Sequence, residues 1–298
     1  MIDVVGVGAN SIDFVYRLPG YPRPDSPFAK LPITEHLISC GGQVTTALAT
    51  CAAMGLSASY IGAIGSDEHG RRMRDELQRR GIDVSHAVAR DAANPFAVIL
   101  LDNRAGERVV LWHRDPRVAL TPRDINGAVI EPTRLVHVDD VDLEASVQAA
   151  RFARAAGKPV TSDIERTTDD IRVLVDAVTI PIFAEHVPPA LTGESDLPHA
   201  LEQLRTTHHT MLCVTRGARG ALLLAGGEVI EEPGMAVRTV DTTGAGDIFR
   251  GAFIYTLLRG DGPREILRFA NAAAALSCTK PGAMNSVPTV DDVERSIC

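Results

Sequence analysis

The segment Asp241-Thr-Thr-Gly-Ala-Gly-Asp247 follows a strand-like run at 237–240 and precedes an apolar helical pattern at 248–257. Small residues that open a helix leave several backbone N–H groups unpaired, and the helix dipole adds partial positive charge there. The glycines let the backbone approach a ligand closely and adopt positive φ. The segment therefore predicts an anion site at the start of a helix, suited to a phosphoryl group.

Asp247 falls in the first turn of that predicted helix, within reach of a group bound at the anion site. A carboxylate there can accept the proton of an attacking hydroxyl, as phosphoryl transfer to an alcohol requires. Alternatively, Asp247 only caps the helix and the glycines form a tight packing turn. The motif is long and the rest of the chain supplies matching parts, which favours the catalytic interpretation.

Composition excludes several classes of protein. The chain has 298 residues, is 45% hydrophobic and carries 30 basic against 38 acidic residues, a net charge of −8. Because its basic residues are scattered and aromatic residues make up only 4%, we expect no nucleic-acid partner. No apolar run approaches the ~20 residues of a membrane span, and residues 1–8 do not resemble a signal peptide. We expect a soluble, cytoplasmic protein with reduced cysteines and no membrane partner.

Strands alternate with helices over most of the chain. Apolar runs predict strands at 135–138, 159–162, 177–182 and 210–215, and amphipathic patterns predict helices at 143–156, 168–175, 197–206, 247–259 and 263–278. Repeated β–α units of this kind imply a mostly parallel sheet with helices on both faces. The predicted fold class is therefore a three-layer α/β/α, Rossmann-like domain.

Two strand-like segments, 12–38 and 94–118, interrupt the alternation. In the second, the sequence predicts a hairpin of 96–101 with 108–113 around the turn-forming Asp102-Asn-Arg-Ala-Gly106. We predict that both segments form one small β lid, and that 1–11, 39–93 and 119–298 form the α/β nucleotide- and substrate-binding domain. Because such a lid has open edges, we also expect a homodimer that pairs through it.

Four further motifs occur in a fixed order around the first. They are Cys40-Gly-Gly-Gln43 before an alanine-rich helix, Ile61-Gly-Ala-Ile-Gly-Ser-Asp67-Glu-His-Gly70, Val214-Thr-Arg-Gly-Ala-Arg-Gly220 and Asn271-Ala-Ala-Ala-Ala-Leu-Ser-Cys-Thr-Lys-Pro-Gly-Ala283. Together with the 241–247 segment they resemble the ribokinase-like, or phosphofructokinase B, family of carbohydrate kinases over essentially the whole chain. The ketohexokinase, fructokinase and sulfofructose kinase branches look most similar. The resemblance implies the ribokinase-like fold and ATP-dependent phosphorylation of a hydroxyl on a sugar or sugar-like substrate.

The resemblance also implies roles for individual residues. Gly244, Ala245 and Gly246 match the family's anion hole, and Asp247 matches its catalytic base. Substrate binding would fall to residues near the ends of the first strands and to a later acid: Asp13, Gly41, Gly42, Gln43 and Asp139. A carboxylate suits vicinal hydroxyls because it accepts hydrogen bonds from both, and open α/β sheets bind ligands at the carboxyl ends of their strands.

Nucleotide and metal sites follow from the same resemblance. ATP would be bound by Thr215, Gly217 and Gly220 at its phosphates or ribose, and by Asn271 and Ala274 at its adenine. Mg²⁺ would accompany the phosphates, with Glu185 acting on it through water. Asp241 and the Thr243 carbonyl match a loop that binds a monovalent cation such as K⁺ in relatives.

Three positions depart from the family pattern. Ile182 replaces the asparagine of an Asn-x-x-Glu motif that ends at Glu185, and Thr46 stands where an asparagine commonly binds substrate. Arg250 follows the 241–247 segment where relatives carry a small residue or histidine. It either pairs with an acidic group of substrate or ATP or is a solvated helix arginine.

Two alternative functions remain open at this point. A kinase for a nucleoside or another alcohol would share the fold, although few aromatic residues near Asp13 could stack on a base. A non-catalytic sensor of sugar or nucleotide is the other alternative, and the altered 182–185 motif is its only support. The complete Gly-Ala-Gly turn with Asp247 favours an enzyme.

Overall fold

The computed structural model describes residues 2–25, 30–102 and 108–297. Its strands are β1 (Val4–Val7), β2 (Ser11–Leu18), β3 (Glu35–Gly41), β4 (Ala58–Ile61), β5 (Ala63–Gly65), β6 (Val88–Arg90), β7 (Phe96–Asp102), β8 (Arg108–His113), β9 (Leu135–Asp139), β10 (Val160–Asp163), β11 (Ile182–Ala184), β12 (Met211–Thr215), β13 (Ala221–Ala225) and β14 (Glu228–Glu232). Its α-helices are α1 (Gln43–Ala53), α2 (Glu68–Arg79), α3 (Gly127–Ile130), α4 (Leu143–Ala155), α5 (Arg172–Ala177), α6 (Val187–Thr192), α7 (Leu197–Leu204), α8 (Ala245–Arg259), α9 (Pro263–Ser277) and α10 (Val290–Ile297).

The main sheet is mostly parallel. One part has the strand order β10-β9-β1-β4, all parallel, and the other has the order β11-β12-β13-β14. Parallel bridges from Thr161 to Ile180 and from Ile164 to Phe183 connect the two parts. At one edge, β13 pairs antiparallel with β12 and β14 pairs antiparallel with β13. This arrangement confirms the predicted α/β class, since parallel strands need the helical crossovers that the sequence pattern indicates.

Helices cover both faces of the sheet. Alternate residues of one strand enter different cores: Val4 packs with α1 and α2, whereas Val5 packs with α4 and α5. In the same way Leu212 points to the α4 side and Cys213 to the α8 and α9 side. Because successive side chains of a strand point to opposite faces, a sheet buried on both sides reads as a continuous apolar run. The three-layer prediction is confirmed.

A second sheet has the strand order β3-β2-β7-β8, and we call it the lid. β7 pairs antiparallel with β8, from Phe96 opposite His113 onward, so the predicted hairpin is confirmed in its strands. Its predicted turn at 103–106 lies outside the described residues. Val15, Ala97, Ile99 and Leu101 form the lid's own apolar cluster. The strands begin and end close to the predicted segments, while the division into two domains stays a prediction.

Two strand predictions were wrong. Residues 177–182 do not form one strand, because α5 continues to Ala177 and β11 begins only at Ile182. Pro181 has no N–H to donate to a ladder, which limits pairing in this apolar run. Residues 237–240 belong to no strand, although the Val240 N–H donates to the Cys278 carbonyl, 2.7 Å away.

One hairpin escaped prediction. β13 and β14 pair antiparallel around Gly226 and Gly227, which adopt φ of 60° and 86°. Two positive-φ residues between antiparallel strands form the tight turn that matches strand twist. Among the described residues, no helix has the length and apolar character needed to cross a membrane.

Candidate active site

The anion-hole turn, which we define as Gly244, Ala245 and Gly246, opens the 15-residue helix α8. Gly244 has φ of 78°, and a Cβ there would lie 2.7 Å from the Cβ of Ala283, so only glycine fits. Asp241 closes the preceding loop: its Oδ1 accepts from Thr243 N and Thr243 Oγ1 at 2.9 and 2.7 Å. Ala245 N donates to the Thr242 carbonyl at 3.3 Å, whereas no hydrogen bond to another described residue occupies the N–H groups of Gly244 and Gly246. The turn is therefore held in place and keeps N–H groups for an anion at a helix start.

Asp247 lies half-buried in the first turn of α8. Burial raises the pKa of its carboxyl to about 8, and the Arg250 guanidinium opposes that rise. The negative charges of Glu165 and Asp13 raise the pKa further. A raised pKa matches a general base that must take a proton near neutral pH. The effect of the Asp13 charge on the pKa of Asp247 also shows that these two carboxylates, distant in sequence, lie near each other in the fold.

Asp13 extends from β2 against the start of α1. Its Oδ1 accepts a hydrogen bond from Ser11 Oγ at 2.7 Å, and only 6% of the residue is exposed. A Cβ on Gly41 would come within 2.1 Å of Asp13 Oδ2, so the bare backbone of Gly41 makes room for this carboxylate. Burial raises the pKa of Asp13 to about 6. Gly42 and the half-buried Gln43 follow directly, so the predicted substrate residues of this region lie together.

Asp139 is also buried, at the carboxyl end of β9, but its oxygens already have partners. Oδ2 accepts from Ala9 N at 2.7 Å and Oδ1 accepts from Val141 N at 3.1 Å. Burial, more than any neighbouring charge, raises its pKa to about 7. Asp139 therefore holds the turn between β1 and β2, which carries Asn10 and leads to Asp13. Its direct contact with substrate stays a prediction.

A cavity of about 700 Å³ lies beyond the anion-hole turn. It is lined by all five residues predicted to bind nucleotide, namely Thr215, Gly217, Gly220, Asn271 and Ala274. Ala245 and Gly246 line the same cavity, as do the apolar side chains of Val237 and Phe249. The five predicted positions, which come from β12, the following loop and α9, thus surround one cavity together with the anion-hole turn. The cavity has the size of a small-molecule binding site.

One predicted residue also holds this cavity in shape, and an unpredicted lid residue borders it. Asn271 Nδ2 donates to the carbonyls of Glu232 and Pro233 at 3.0 and 3.2 Å, which ties α9 to the end of β14. Arg108 of the lid lines the cavity and donates from Nη1 to Thr242 Oγ1 at 2.6 Å. Nothing in the sequence pattern signals Arg108, because only the pairing of the lid strands brings it there.

Glu185 is not brought into the group around Asp247. Its side chain pairs with Arg219 and is partly exposed. Within the described ranges, no group of three or more His, Cys, Asp or Glu side chains is arranged to hold a metal ion. Asp241, whose Oδ2 also accepts from Gly282 N at 2.9 Å, serves loop closure.

Three charged residues lie around Asp247 in an arrangement that the sequence analysis did not predict. Asp163 ends β10 and is buried, Glu165 follows two residues later, and Arg250 is only 1% exposed. Arg250 is therefore not a solvated helix arginine, and it pairs with Asp163 instead of awaiting a ligand. A signal for Asp163 did exist, since it follows a predicted parallel strand at its carboxyl end, as Asp139 does.

Thr46 provides a further sign of a ligand. It lies in the first turn of α1, fully buried, and its Oγ1 has no hydrogen-bond partner among the described residues. Its methyl Cγ2 would lie 3.5 Å from a Cβ on Gly244, so it borders the anion-hole turn. Buried hydroxyls are nearly always hydrogen-bonded in folded proteins. The Thr46 hydroxyl is therefore available to a polar group that enters between α1 and α8.

Comparison with known proteins identifies this architecture. The model of the pfkB family of carbohydrate kinases matches residues 7–290. The chain belongs to this family. Fructokinase-1 of Oryza sativa subsp. japonica is 29% identical to this pfkB-family chain, over 97% of the chain and 96% of the relative.

Solved structures agree. A crystal structure from Agrobacterium tumefaciens is 30% identical, with a TM-score of 0.91 over 99% of the pfkB-family chain and 97% of that protein. Arabidopsis thaliana ribokinase complexed with ribose and ATP shares the fold, with a TM-score of 0.84 at 23% identity over 100% and 99% of the two chains. The ribokinase-like fold is confirmed, and the chain is a phosphotransferase that uses an alcohol group as acceptor.

Proposed function

We propose that the protein phosphorylates a hydroxyl of a sugar or sugar-like substrate at the expense of ATP. One observation carries the proposal: the anion-hole turn lies between a nucleotide-sized cavity and two carboxylates, the buried Asp13 and the half-buried Asp247. The cavity would hold ATP with its γ-phosphoryl group at the turn, and the carboxylates would hold the sugar. The rice fructokinase and the ribose- and ATP-bound ribokinase of the same fold support this choice of ligands.

Sugar recognition is assigned to the surface formed by β2 and α1. Asp13 would accept hydrogen bonds from neighbouring hydroxyls through the oxygen that faces Gly41, because Oδ1 already accepts from Ser11. Backbone groups of Gly41 and Gly42, and the Gln43 side chain, would complete the site. The unpartnered Thr46 hydroxyl supplies one further donor or acceptor. Asp139 supports this surface through Ala9 and is the weakest direct contact.

The reaction would proceed by direct transfer. Asp247 accepts the proton of the attacking sugar hydroxyl, and the oxygen of that hydroxyl forms a bond to the γ-phosphorus of ATP. The bond between the γ-phosphorus and the β,γ-bridging oxygen breaks, which releases ADP. N–H groups of the anion-hole turn stabilise the charge that the transferring group carries on its equatorial oxygens. Because these donors are preorganised by Gly244 and Asp241, they need no rearrangement at the moment of reaction.

ATP would lie with its adenine beside Asn271 and Ala274 and with its ribose and phosphates near Thr215, Gly217 and Gly220. Mg²⁺ bound to the phosphates would neutralise their charge, with Glu185 acting through water once it leaves Arg219. Asp241 and the Thr243 carbonyl are the groups that would neighbour a monovalent cation such as K⁺.

The lid also supports the proposed homodimer. Its edge strand β8 exposes consecutive apolar side chains, among them Leu111, which is 54% exposed, and Trp112, which is 75% exposed. An edge strand with exposed apolar residues is an unusual feature of a monomer and a ready pairing surface. A second copy of the lid is the proposed partner.

The decisive experiment measures ADP release with a panel of ketoses, aldoses and nucleosides. Wild type is compared with Asp247→Asn, which keeps the shape of the side chain but cannot act as a base. We expect turnover with a sugar and a loss of roughly 10²–10⁴-fold in kcat for the variant. Equal rates for the two proteins would refute the mechanism. Turnover with nucleosides alone would identify the alternative kinase, and nucleotide binding without turnover would identify a sensor.

A further inference from the structure

A buried ion pair lies directly below the proposed reaction centre. Arg250 is three residues beyond Asp247 on α8, and its Nη2 is 2.5 Å from Oδ1 of Asp163 at the end of β10. The two residues are 1% and 0% exposed. A completely buried arginine is rare and requires a compensating charge. The pair therefore needs an explanation beyond ordinary surface electrostatics.

Stability does not explain the pair. Arg250 Nε and Asp163 Oδ2 have no hydrogen-bond partner within 2–25, 30–102 and 108–297. A buried ion pair without further hydrogen bonds often contributes less to stability than apolar residues of the same volume, because both charges have lost their water. The pair thus leaves donor and acceptor capacity unused in the interior. A role in the reaction would account for it.

The guanidinium touches the anion-hole turn. A Cβ on Gly246 would lie 2.8 Å from Arg250 Nη1, so this nitrogen fills the space under the turn. The positive charge of Arg250 is also the strongest influence that keeps the pKa of Asp247 from rising further with burial. Movement of Arg250 would therefore change both the position of the turn and the charge state of the base.

The groups that face Arg250 and Asp247 come from several elements. Arg250 is surrounded by Asp163 of β10, Glu165 of the following loop, Cys213 of β12 and Asp247 of its own helix. His137 of β9 also faces it; burial and then the Arg250 charge lower the pKa of His137 to about 3, so it stays neutral. Asp247 additionally faces Asp13 of the first lid segment and Arg108 of the second.

We infer that the Arg250–Asp163 ion pair positions the reaction centre: it supports the anion-hole turn from below and sets the charge beside Asp247. Arg250 is a positioning residue in this view, because it reaches the substrates only through the turn and the base. The inference rests on the proposed function, since it presumes that Asp247 is the base. It predicts that the two members of the pair affect the base in opposite directions.

The test measures kcat, both KM values and the pH dependence of kcat/KM for variants of each member. Arg250→Met removes the positive charge, so the acidic limb of the profile should move up by about one pH unit or more. Asp163→Asn removes the negative charge that offsets Arg250, so the limb should move down. We expect Arg250→Met to lower kcat by about 100-fold through misplacement of the turn, with sugar KM changed far less. Arg250→Lys should restore the position of the limb.

Two controls separate positioning from folding. Arg134 precedes β9, pairs with Asp3 and donates to the Leu258 carbonyl at the far end of α8, so Arg134→Met removes an arginine that contacts this helix far from the turn. It should leave the pH profile at the wild-type position. If Arg250→Met does not fold, the double variant Arg250→Met/Asp163→Asn, which leaves no unpaired buried charge, should restore folding but not kcat.

Some outcomes would overturn the inference alone. A wild type that needs Asp247 for turnover, together with an Arg250→Met profile at the wild-type position, would leave the proposed function standing and remove the ion pair from it. Shifts of the same sign for Arg250→Met and Asp163→Asn would do the same, as would a double variant with wild-type kcat. Equal rates for wild type and Asp247→Asn would instead show that the proposed function itself is wrong.

Discussion

Replacing Thr46 by valine should make the protein more stable and a poorer kinase. The side chain is fully buried in α1, and its Oγ1 has no hydrogen-bond partner in the described part of the chain. Valine has nearly the same shape and puts a methyl group where the hydroxyl is. The change removes a buried polar atom that no other described residue satisfies, and it removes a group that the proposed substrate would contact.

The magnitudes follow from the burial. An unsatisfied buried polar group costs about 1–3 kcal/mol, so relief of that cost should raise the free energy of unfolding by about 1 kcal/mol. For a chain of this size the corresponding rise in Tm is about 2 °C. Loss of one hydrogen bond to the sugar should cost about 1 kcal/mol of transition-state binding, which lowers kcat/KM for the sugar about five- to tenfold. KM for ATP should stay unchanged.

Thr50 offers a matched control one turn later on the same helix. It is equally buried, but its Oγ1 donates to the Thr46 carbonyl at 2.9 Å. Thr50→Val should therefore lower Tm and leave the kinetics with sugar intact. Thermal unfolding without ligands and steady-state kinetics with each substrate varied would measure both effects. A Thr46→Val protein that is less stable than wild type and has an unchanged sugar KM would refute the reasoning.

Four further results are expected. Gly41→Ala puts a Cβ 2.1 Å from an Asp13 oxygen, so kcat/KM for the sugar should fall about 100-fold with no change in KM for ATP. A kcat/KM for the sugar equal to that of wild type would show that Asp13 does not bind substrate. Because Asp247 has a pKa of about 8 and works as a base only when ionised, kcat/KM should decline as pH falls below that value, and a flat profile would contradict this role. The pKa of Asp139 is raised to about 7, so the folded state binds more protons than the unfolded state and loses stability as pH rises from about 4 to 7. In urea unfolding, Asp139→Asn should remove up to about 4 kcal/mol of this pH dependence of the free energy of unfolding. An unaltered pH dependence would assign it to other groups. If the proposed homodimer pairs through the lid, Trp112→Glu should give a monomer in light scattering where wild type is a dimer, and a wild type that is monomeric at all concentrations would exclude the lid as a subunit interface.

Local patterns account for what was predictable. The small-residue turn before α8, the turn-forming residues between β7 and β8, and the apolar strands of the parallel sheet are all signals that depend on neighbours within a few residues. Such signals survive without knowledge of the fold, because backbone conformation and strand alternation are local properties. The boundary errors came where local signals conflict: the apolar run before β11 contains Pro181, and tertiary pairing placed the strand after it.

The charge arrangement around Asp247 could not be predicted from such patterns. Asp163 and Arg250 are far apart in the sequence, and they meet only because helix α8 packs beside strand β10 in the folded protein. Seen in sequence alone, Arg250 has the same local context as any exposed helix arginine. Glu185 illustrates the converse, since its motif predicts a metal role while the fold pairs it with Arg219.

For this protein, the sequence alone determined the fold class and the small-residue turn that opens a helix before Asp247. These features follow from backbone conformation and from which residue types occupy the ends of strands and helices. The five positions that line the cavity beyond the turn were predicted through the resemblance to a known family. Only the tertiary structure decided which charges are buried together, which hydroxyl is left without a partner and which lid residue reaches the cavity. Those properties depend on strand order and on the exclusion of water, and both arise from contacts between residues far apart in the chain.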